Sequence, residues 1–357
     1  MPAATVFAST PRVGLDGRES EALSAGLVRL RVEEDTAGLC RCEAAFGNWG
    51  PVDGGTGFLY LDRKVLEFGR QLRIALGPPP AGQVFDGRIS AIEADFGDGR
   101  PPEVAVLAED RFQDLRMTRR TRTFADLSDA DVAGRIAGEH GLRADLDAPG
   151  PTHRVLAQLN QSDLAFLRDR ALAIDAEAWV DGDSLGFRAR QRREGAPLTL
   201  RYGTELRELT LLADLAGQRS SLAVTCWDVA AKSAIREEAT AAAIEPELKG
   251  GQSGAATLEA AFGPRPEAVA HSVPLSASES RARAEALFRQ RARRFLRGRG
   301  VAEGNPQLRV GATIALEGVS PLLEGEFYVA AVSHVYDREA GLRTEFEVER
   351  PALGAMA

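Results

Sequence analysis

Cysteine, histidine and long apolar runs are all scarce in this sequence, and each scarcity removes a class of explanation. Three cysteines occur, Cys40, Cys42 and Cys226. Cys40 and Cys42 stand two apart in an expected strand, side by side on one face, a geometry unsuited to bridging each other. No disulfide framework follows, and the chain suits a reducing place of synthesis. Zinc would need more ligands, and the four histidines, His140, His153, His271 and His334, are scattered. None lies in a His-Glu-x-x-His motif or a nucleophile elbow. No run of 18 apolar residues exists, so no helical membrane insertion is expected. Met1 to Thr10 lacks a basic start and a long apolar core, so synthesis in the cytoplasm without a signal peptide is expected. A formal net charge of -8 argues against a protein whose main task is gripping nucleic acid.

What is present is an ordinary globular composition, 44% hydrophobic and 27% charged over 357 residues, enough for two to four domains. The C-terminal stretch alternates with a period of two. Leu308, Val310, Ala312, Ile314 and Leu316 form one such set, and Leu342, Thr344, Phe346 and Val348 another. Phe327 to Tyr336, apolar on both faces apart from Ser333 and His334, reads as the central strand between them. Subtracting 240 places Ile314 on Ile74, Val329 on Ile89, Val332 on Ile92, Tyr336 on Phe96 and Phe346 on Val106. A second pair relates Leu30, Val32, Asp35 and Gly38 to Leu209, Leu211, Asp214 and Gly217. Two duplicated modules, the second interrupted by an insertion, explain both offsets; two unrelated meanders with one strand rhythm are the alternative.

In chain order, residues 1 to about 118 are β-rich, broken by Gly77-Pro78-Pro79-Pro80 and turning at Asp98-Gly99. From 119 to 200 the period becomes helical. Ser128 and Asp131 mark a helix start, Gly141 its C-terminal cap, and a second helix begins near Ser162. Trp179-Val180 and Leu185 to Phe187 form a hairpin. Glu208 to Asp214 and Leu222 to Trp227 read as another. Ala239 to Pro274 reads as a linker or long loop. Ser276 and Glu279 then cap a helix over about 277 to 298, whose polar faces carry Arg281, Arg283, Arg289, Arg291, Arg293, Arg294, Arg297 and Arg299.

The chemical motifs dissolve on inspection. Asp95-Phe96-Gly97 has no kinase context, Gly54-Gly55-Thr56-Gly57 lacks the Lys-Ser/Thr of a phosphate loop, and Asp181 and Asp183 lack the remaining oxygens of a calcium loop. His334 alone lies on an expected core strand, where a structural histidine is the simpler reading. No catalytic, cofactor-binding or metal-binding residue is assigned.

Several stretches resemble the phage late control protein D family, baseplate hubs of contractile tails, whose module also opens the VgrG spikes of type VI secretion. They are Ser128 to Leu142, Asn160-Gln161-Ser162-Asp163-Leu164-Ala165-Phe166-Leu167, Leu185-Gly186-Phe187, Leu308-Arg309-Val310-Gly311, Gly325 to Val329, Ser333 to Tyr336 and Gly341 to Phe346. Asp175 departs from the family's glycine, although Asp tolerates the left-handed conformation. The resemblance implies an α+β, mainly β fold with two tail-tube-like antiparallel β-barrel domains. They would occupy 1–118 and, discontinuously, 201–238 with 305–351. A small α/β domain would fill 119–200, a linker plus Arg-rich helix 239–304, and a tail 352–357. It further implies a non-enzymatic hub, a homotrimer forming a pseudo-hexameric ring between the central spike and the inner tube, assembled into a phage tail or injection particle. Its partners would be a separate spike protein, since the sequence stops after the last barrel strand, an inner-tube or tube-initiator protein, and other baseplate proteins. No specific nucleic acid and no cofactor are implied. A receptor- or glycan-binding tail-tip protein, a hydrolase using His334, and a nucleic-acid binder centred on the arginine helix remain the rivals.

Overall fold

The computed structural model describes residues 10–77, 82–193, 195, 197–228, 231–271 and 275–354. The Pro78-Pro79-Pro80 break, the N-terminal Met1 to Ser9, the Pro274 end of the expected linker and the tail residues Ala355 to Ala357 lie outside them. The fold is mainly β, as the alternating patterns require. The first part comprises β1 Arg12–Leu15, β2 Arg18–Glu19, α1 Glu21–Gly26, β3 Leu27–Asp35, β4 Arg41–Gly47, β5 Trp49–Val52, β6 Gly55–Phe58, β7 Gln71–Leu76, β8 Gly82–Asp95, β9 Glu103–Glu109 and α2 Phe112–Arg116. The middle part follows with β10 Arg119–Ser128, α3 Asp129–Glu139, β11 Arg143–Asp147, β12 Thr152–Ser162, α4 Asp163–Ala173, β13 Ala176–Asp181 and β14 Ser184–Ala189.

The remainder contains β15 Leu198–Arg201, β16 Leu206–Ala213, β17 Ser221–Asp228, β18 Ser233–Thr240, α5 Glu245–Leu248, β19 Gln252–Ser253, α6 Gly254–Phe262, β20 Glu267–Ala270 and α7 Ala277–Arg293. It ends with β21 Leu296–Glu303, β22 Thr313–Glu317, β23 Gly325–Asp337, β24 Gly341–Arg350 and β25 Ala352–Leu353. One large sheet runs β16-β21-β24-β23-β3-β4-β9-β8-β7-β1-β2, with β22 on β23 and β15 on β22.

Within that sheet the same six-strand order occurs twice, β1-β7-β8-β9-β4-β3 and β15-β22-β23-β24-β21-β16. In each, the outermost strands share one core. Val13 and Leu30 belong to the first, Leu198 and Leu206 to the second, so both sheets roll up around their apolar faces. The registers repeat as well. Every partner in the β8–β9 pairing, from Arg88↔Glu109 to Asp95↔Glu103, reappears 240 positions later in β23–β24, from Tyr328↔Glu349 to Val335↔Arg343. The bulge between Ile89 and Ala91 recurs between Val329 and Ala331. The bulge between Leu27 and Arg29 in β3–β4 likewise recurs between Leu206 and Glu208 in β16–β21. Bulges are specific local features, so duplication of one module replaces the chance-rhythm alternative. The β7 side departs: Ile74 faces Phe85, whereas Ile314 faces Phe327.

Local signals set the helix ends. Ser128 and Asp131 complete a capping box on α3, and Ser276 and Glu279 another on α7, satisfying amides that a helix start leaves open. Gly141 (φ +64°) and Asp175 (φ +60°) make the left-handed turns after α3 and α4.

Four expectations are corrected. Leu222 to Trp227 does not form a hairpin with Glu208 to Asp214: β17 pairs with β18 and β20 in its own sheet, and β16 pairs with β21. Residues 239–271 are no linker. They build α5, α6 and β20, and with α7 they enclose a separate core containing Leu222, Val224, Ile244, Ala255 and Phe288. The arginine helix ends at Arg293, so Arg297 and Arg299 stand on strand β21. The cause is the alternation Arg297-Gly298-Arg299-Gly300: a Cβ on Gly298 would lie 2.5 Å from Leu211 Cδ2 and one on Gly300 2.5 Å from Phe346 Cζ. These glycines let large neighbouring side chains reach across the strand. Finally, β22 starts only at Thr313, because Gly311 (φ +90°) turns the chain and leaves Leu308 and Val310 buried outside any strand.

Candidate functional site

Three of the histidines, His334, His140 and His153, are held by hydrogen bonds within the chain. His334 is buried on β23, with Nδ1 3.1 Å from Thr344 Oγ1, and burial lowers its pKa to about 3. It is held as the neutral imidazole, and among the described residues no serine or cysteine is bonded to it. His140 at the end of α3 lies 2.9 Å from Asp163, which also accepts from Arg122 at 2.8 Å and Gln158 at 2.9 Å. His153 on β12 is gripped between Asp129, 3.0 Å away, and Glu279 of α7. Burial opposes its charge, but the hydrogen bonds it donates to the two carboxylates outweigh it and raise its pKa. Asp129 is in turn held by Arg170. This cluster ties α3 and α4 to α7.

The rejected motifs settle into turns. Asp183 pairs with Arg111 at 2.8 Å, Asp95 pairs with Arg100, and Gly54 (φ +79°) closes the β5–β6 turn. Cys40, Cys42 and Cys226 are unbridged and buried. Among the described residues, no group of three or more His, Cys, Asp or Glu side chains is arranged to hold a metal ion, and no helix is long and apolar enough to cross a membrane. The arginines of α7 are largely neutralised by contacts within the chain. Arg281 meets Glu237, Arg289 meets Glu285, Arg291 meets Glu267, and Arg293 meets Asp175 and Glu247.

What stands out is the joint between the two modules and its open counterpart. At the joint, β3 of the first module pairs antiparallel with β23 of the second, from Ala331↔Asp35 to Asp337↔Arg29. Leu30 and Val32 are buried there, and Tyr336 and Leu342 of the second module pack onto the first module's core. Arg309 locks the joint by clasping Glu34 at 2.7 and 2.8 Å; burial opposes ionisation of Glu34, but the guanidinium overcomes it and lowers the carboxyl's pKa. Sequence reading missed this pairing, because nothing local to either strand names its partner.

Among the described residues, the equivalent elements elsewhere lack such cover. β16, the counterpart of β3, ends the sheet, with Leu209 and Leu211 only half-buried and Leu212 54% exposed. The far half of β8, the counterpart of β23, pairs only with β9. Beyond it Phe96 is 62% exposed and joins Phe58 and Trp49 in an edge-to-face aromatic chain, centroids 5.8 and 5.3 Å apart. Exposed strand edges and contiguous apolar groups of this kind mark assembly surfaces.

The family model described as the Alg8 N-terminal domain matches residues 56–337. No curated protein matches the sequence. Among solved structures, the prophage MuSo2 43 kDa tail protein from Shewanella oneidensis is 12% identical with a TM-score of 0.69, over 96% of this chain and 98% of that one. A tail protein from Neisseria meningitidis is 12% identical with a TM-score of 0.63, over 96% of each chain. An Escherichia coli component of the type VI secretion system, described as similar to T4 bacteriophage tail proteins gp27 and gp5, is 12% identical with a TM-score of 0.57, over 97% of this chain and 79% of that one. The chain belongs to the Alg8 N-terminal domain family, and its fold is the one these tail and secretion proteins share.

Proposed function

We propose that the protein is a structural baseplate hub of a contractile tail or injection system, a homotrimer whose six modules form a pseudo-hexameric ring between a central spike and the inner tube. The observation that carries this reading is the duplicated module joined edge to edge by β3 and β23. A chain that already contains two ring segments in sequence needs few copies to close a ring, and a head-to-tail contact either closes or grows into a filament. The fold shared with tail proteins supports the same reading. In it the spike and the tube-initiating protein bind opposite faces of the ring, other baseplate proteins surround it, and no catalysis is performed. The two modules take 10–118 and 198–214 with 296–354. In this reading residues 119–193 are the small α/β domain, and the described residues of 215–293 an inserted domain. The test is solution mass with imaging of the particles, with and without the spike: a three-chain ring with a central hole in either condition supports the hub, and a chain that stays single in both at every concentration contradicts it.

A further inference from the structure

The duplicated registers leave two strand edges of one chain to compare. The intrachain joint uses one edge from each module, β3 from the first and the second half of β23 from the second. The two edges left over, β16 of the second module and the far half of β8 of the first, are the repeat-equivalents of those same two strands. They form a complementary pair, and among the described residues nothing covers either.

We propose that β16 of one copy pairs antiparallel with residues 91–97 of β8 and its turn in a second copy, in the register of the internal joint. Transferring the intrachain partners by the two offsets sets Asp214 opposite Ala91, Ala213 opposite Ile92, Leu212 opposite Glu93, Leu211 opposite Ala94, Thr210 opposite Asp95 and Leu209 opposite Phe96. Burial supports this register. Leu30 and Val32 lie inside the first module because Tyr336 and its neighbours cover them, whereas their equivalents Leu209 and Leu211 are half-exposed. Phe96, the equivalent of Tyr336, is the exposed aromatic that would cover them. A slip by one residue would set the inward-facing Phe96 opposite outward-facing residues of β16 instead of Leu209, leaving both apolar side chains without their cover. Charge agrees as well. The strand next to β16 presents Arg297 and Arg299 opposite Leu212 and Thr210, and the incoming edge brings Glu93 and Asp95 to that face.

This inference rests on the ring reading, and the experiment separates the two. Glu93→Cys with Leu212→Cys places thiols at a directly opposed pair, within about 5.5 Å between Cβ atoms. Glu93→Cys with Glu208→Cys places them four residues off, roughly 13 Å apart along the strand. Glu33→Cys with Ser333→Cys is the intrachain control, since those residues are paired within one copy. On oxidation of the full-length protein, the first pair should yield covalent multimers ending at three chains, the second none, and the control a disulfide without a change of mass. A ring by light scattering in which the first pair stays uncoupled, or the offset pair couples, overturns the register and leaves the ring. A single-chain mass at every concentration, with the spike and without it, overturns both.

Discussion

Asp175 accepts two hydrogen bonds from Arg293, at 2.5 and 2.7 Å, across 118 positions of sequence. Arg293 is only 1% exposed and donates two more hydrogen bonds to Glu247, at 2.6 and 2.7 Å. The pair pins the end of α7 to the turn after α4, and it explains why an aspartate stands where the resembling family has glycine. Asp175→Gly separates the two roles of this position. Were the left-handed turn the whole requirement, glycine would be neutral or stabilising by up to about 1 kcal/mol. Because the carboxylate also neutralises a buried guanidinium, the substitution should instead destabilise, by about 3–5 kcal/mol as breaking a buried pair commonly does. Urea unfolding followed by circular dichroism decides the sign.

His153 makes the seam between α3, α4 and α7 dependent on pH. Its folded pKa is raised above the unfolded value of about 6.5, so its contribution is complete below that pH and fades as pH rises through the raised value. Asp129 and Glu279, both lowered by the groups that bind them against the opposing effect of burial, contribute above the normal carboxylate range and lose that contribution in acid. The urea midpoint of the native chain should therefore fall from pH 6 to pH 9 relative to His153→Gln; parallel curves would refute the link.

His334 has the opposite sign. Burial lowers its pKa to about 3, so the neutral form is favoured by folding and stability is lost as pH falls from about 6.5 toward that value. In His334→Leu this part of the acid slope should vanish, with ring formation retained. Urea midpoints between pH 3.5 and 6.5 in the two proteins measure the difference.

Phe346 and Gly300 test the packing of the second module. Phe346 is 3% exposed and pairs across β21 with Gly300. Phe346→Ala should cost about 3–5 kcal/mol, and Phe346→Asp should abolish soluble assembly. Gly300→Ala should cost about 1–3 kcal/mol through overpacking, part of it recovered by Phe346→Leu in the same chain. Calorimetry or urea unfolding of the single and double variants would show this coupling; strict additivity would speak against the contact.

Much of the fold was legible because its signals are local. The alternation of Leu342 to Val348, the capping residues Ser128 and Ser276, and the offset of 240 between Ile92 and Val332 all depend on neighbours along the chain or on copied sequence. What escaped was set by distant partners. β16 pairs with β21 beyond the whole inserted domain, and no pattern within Leu206–Ala213 distinguishes that partner from the nearer β17. The stretch from Leu296 looked like a continuing helix until the depth of Leu211 and Phe346 against Gly298 and Gly300 became visible. The candidate site was half legible: the duplication could be read, but not that β3 joins β23 across the modules, nor that two equivalent edges are left over.

The most direct test of the hub reading is the mass of the purified chain by multi-angle light scattering, taken with its spike and again without it, with negative-stain images of the same peak. The duplicated module leads to three chains and a ring with a central hole in at least one of these conditions. A single chain in both, at every concentration, would contradict the ring and with it the function drawn from it.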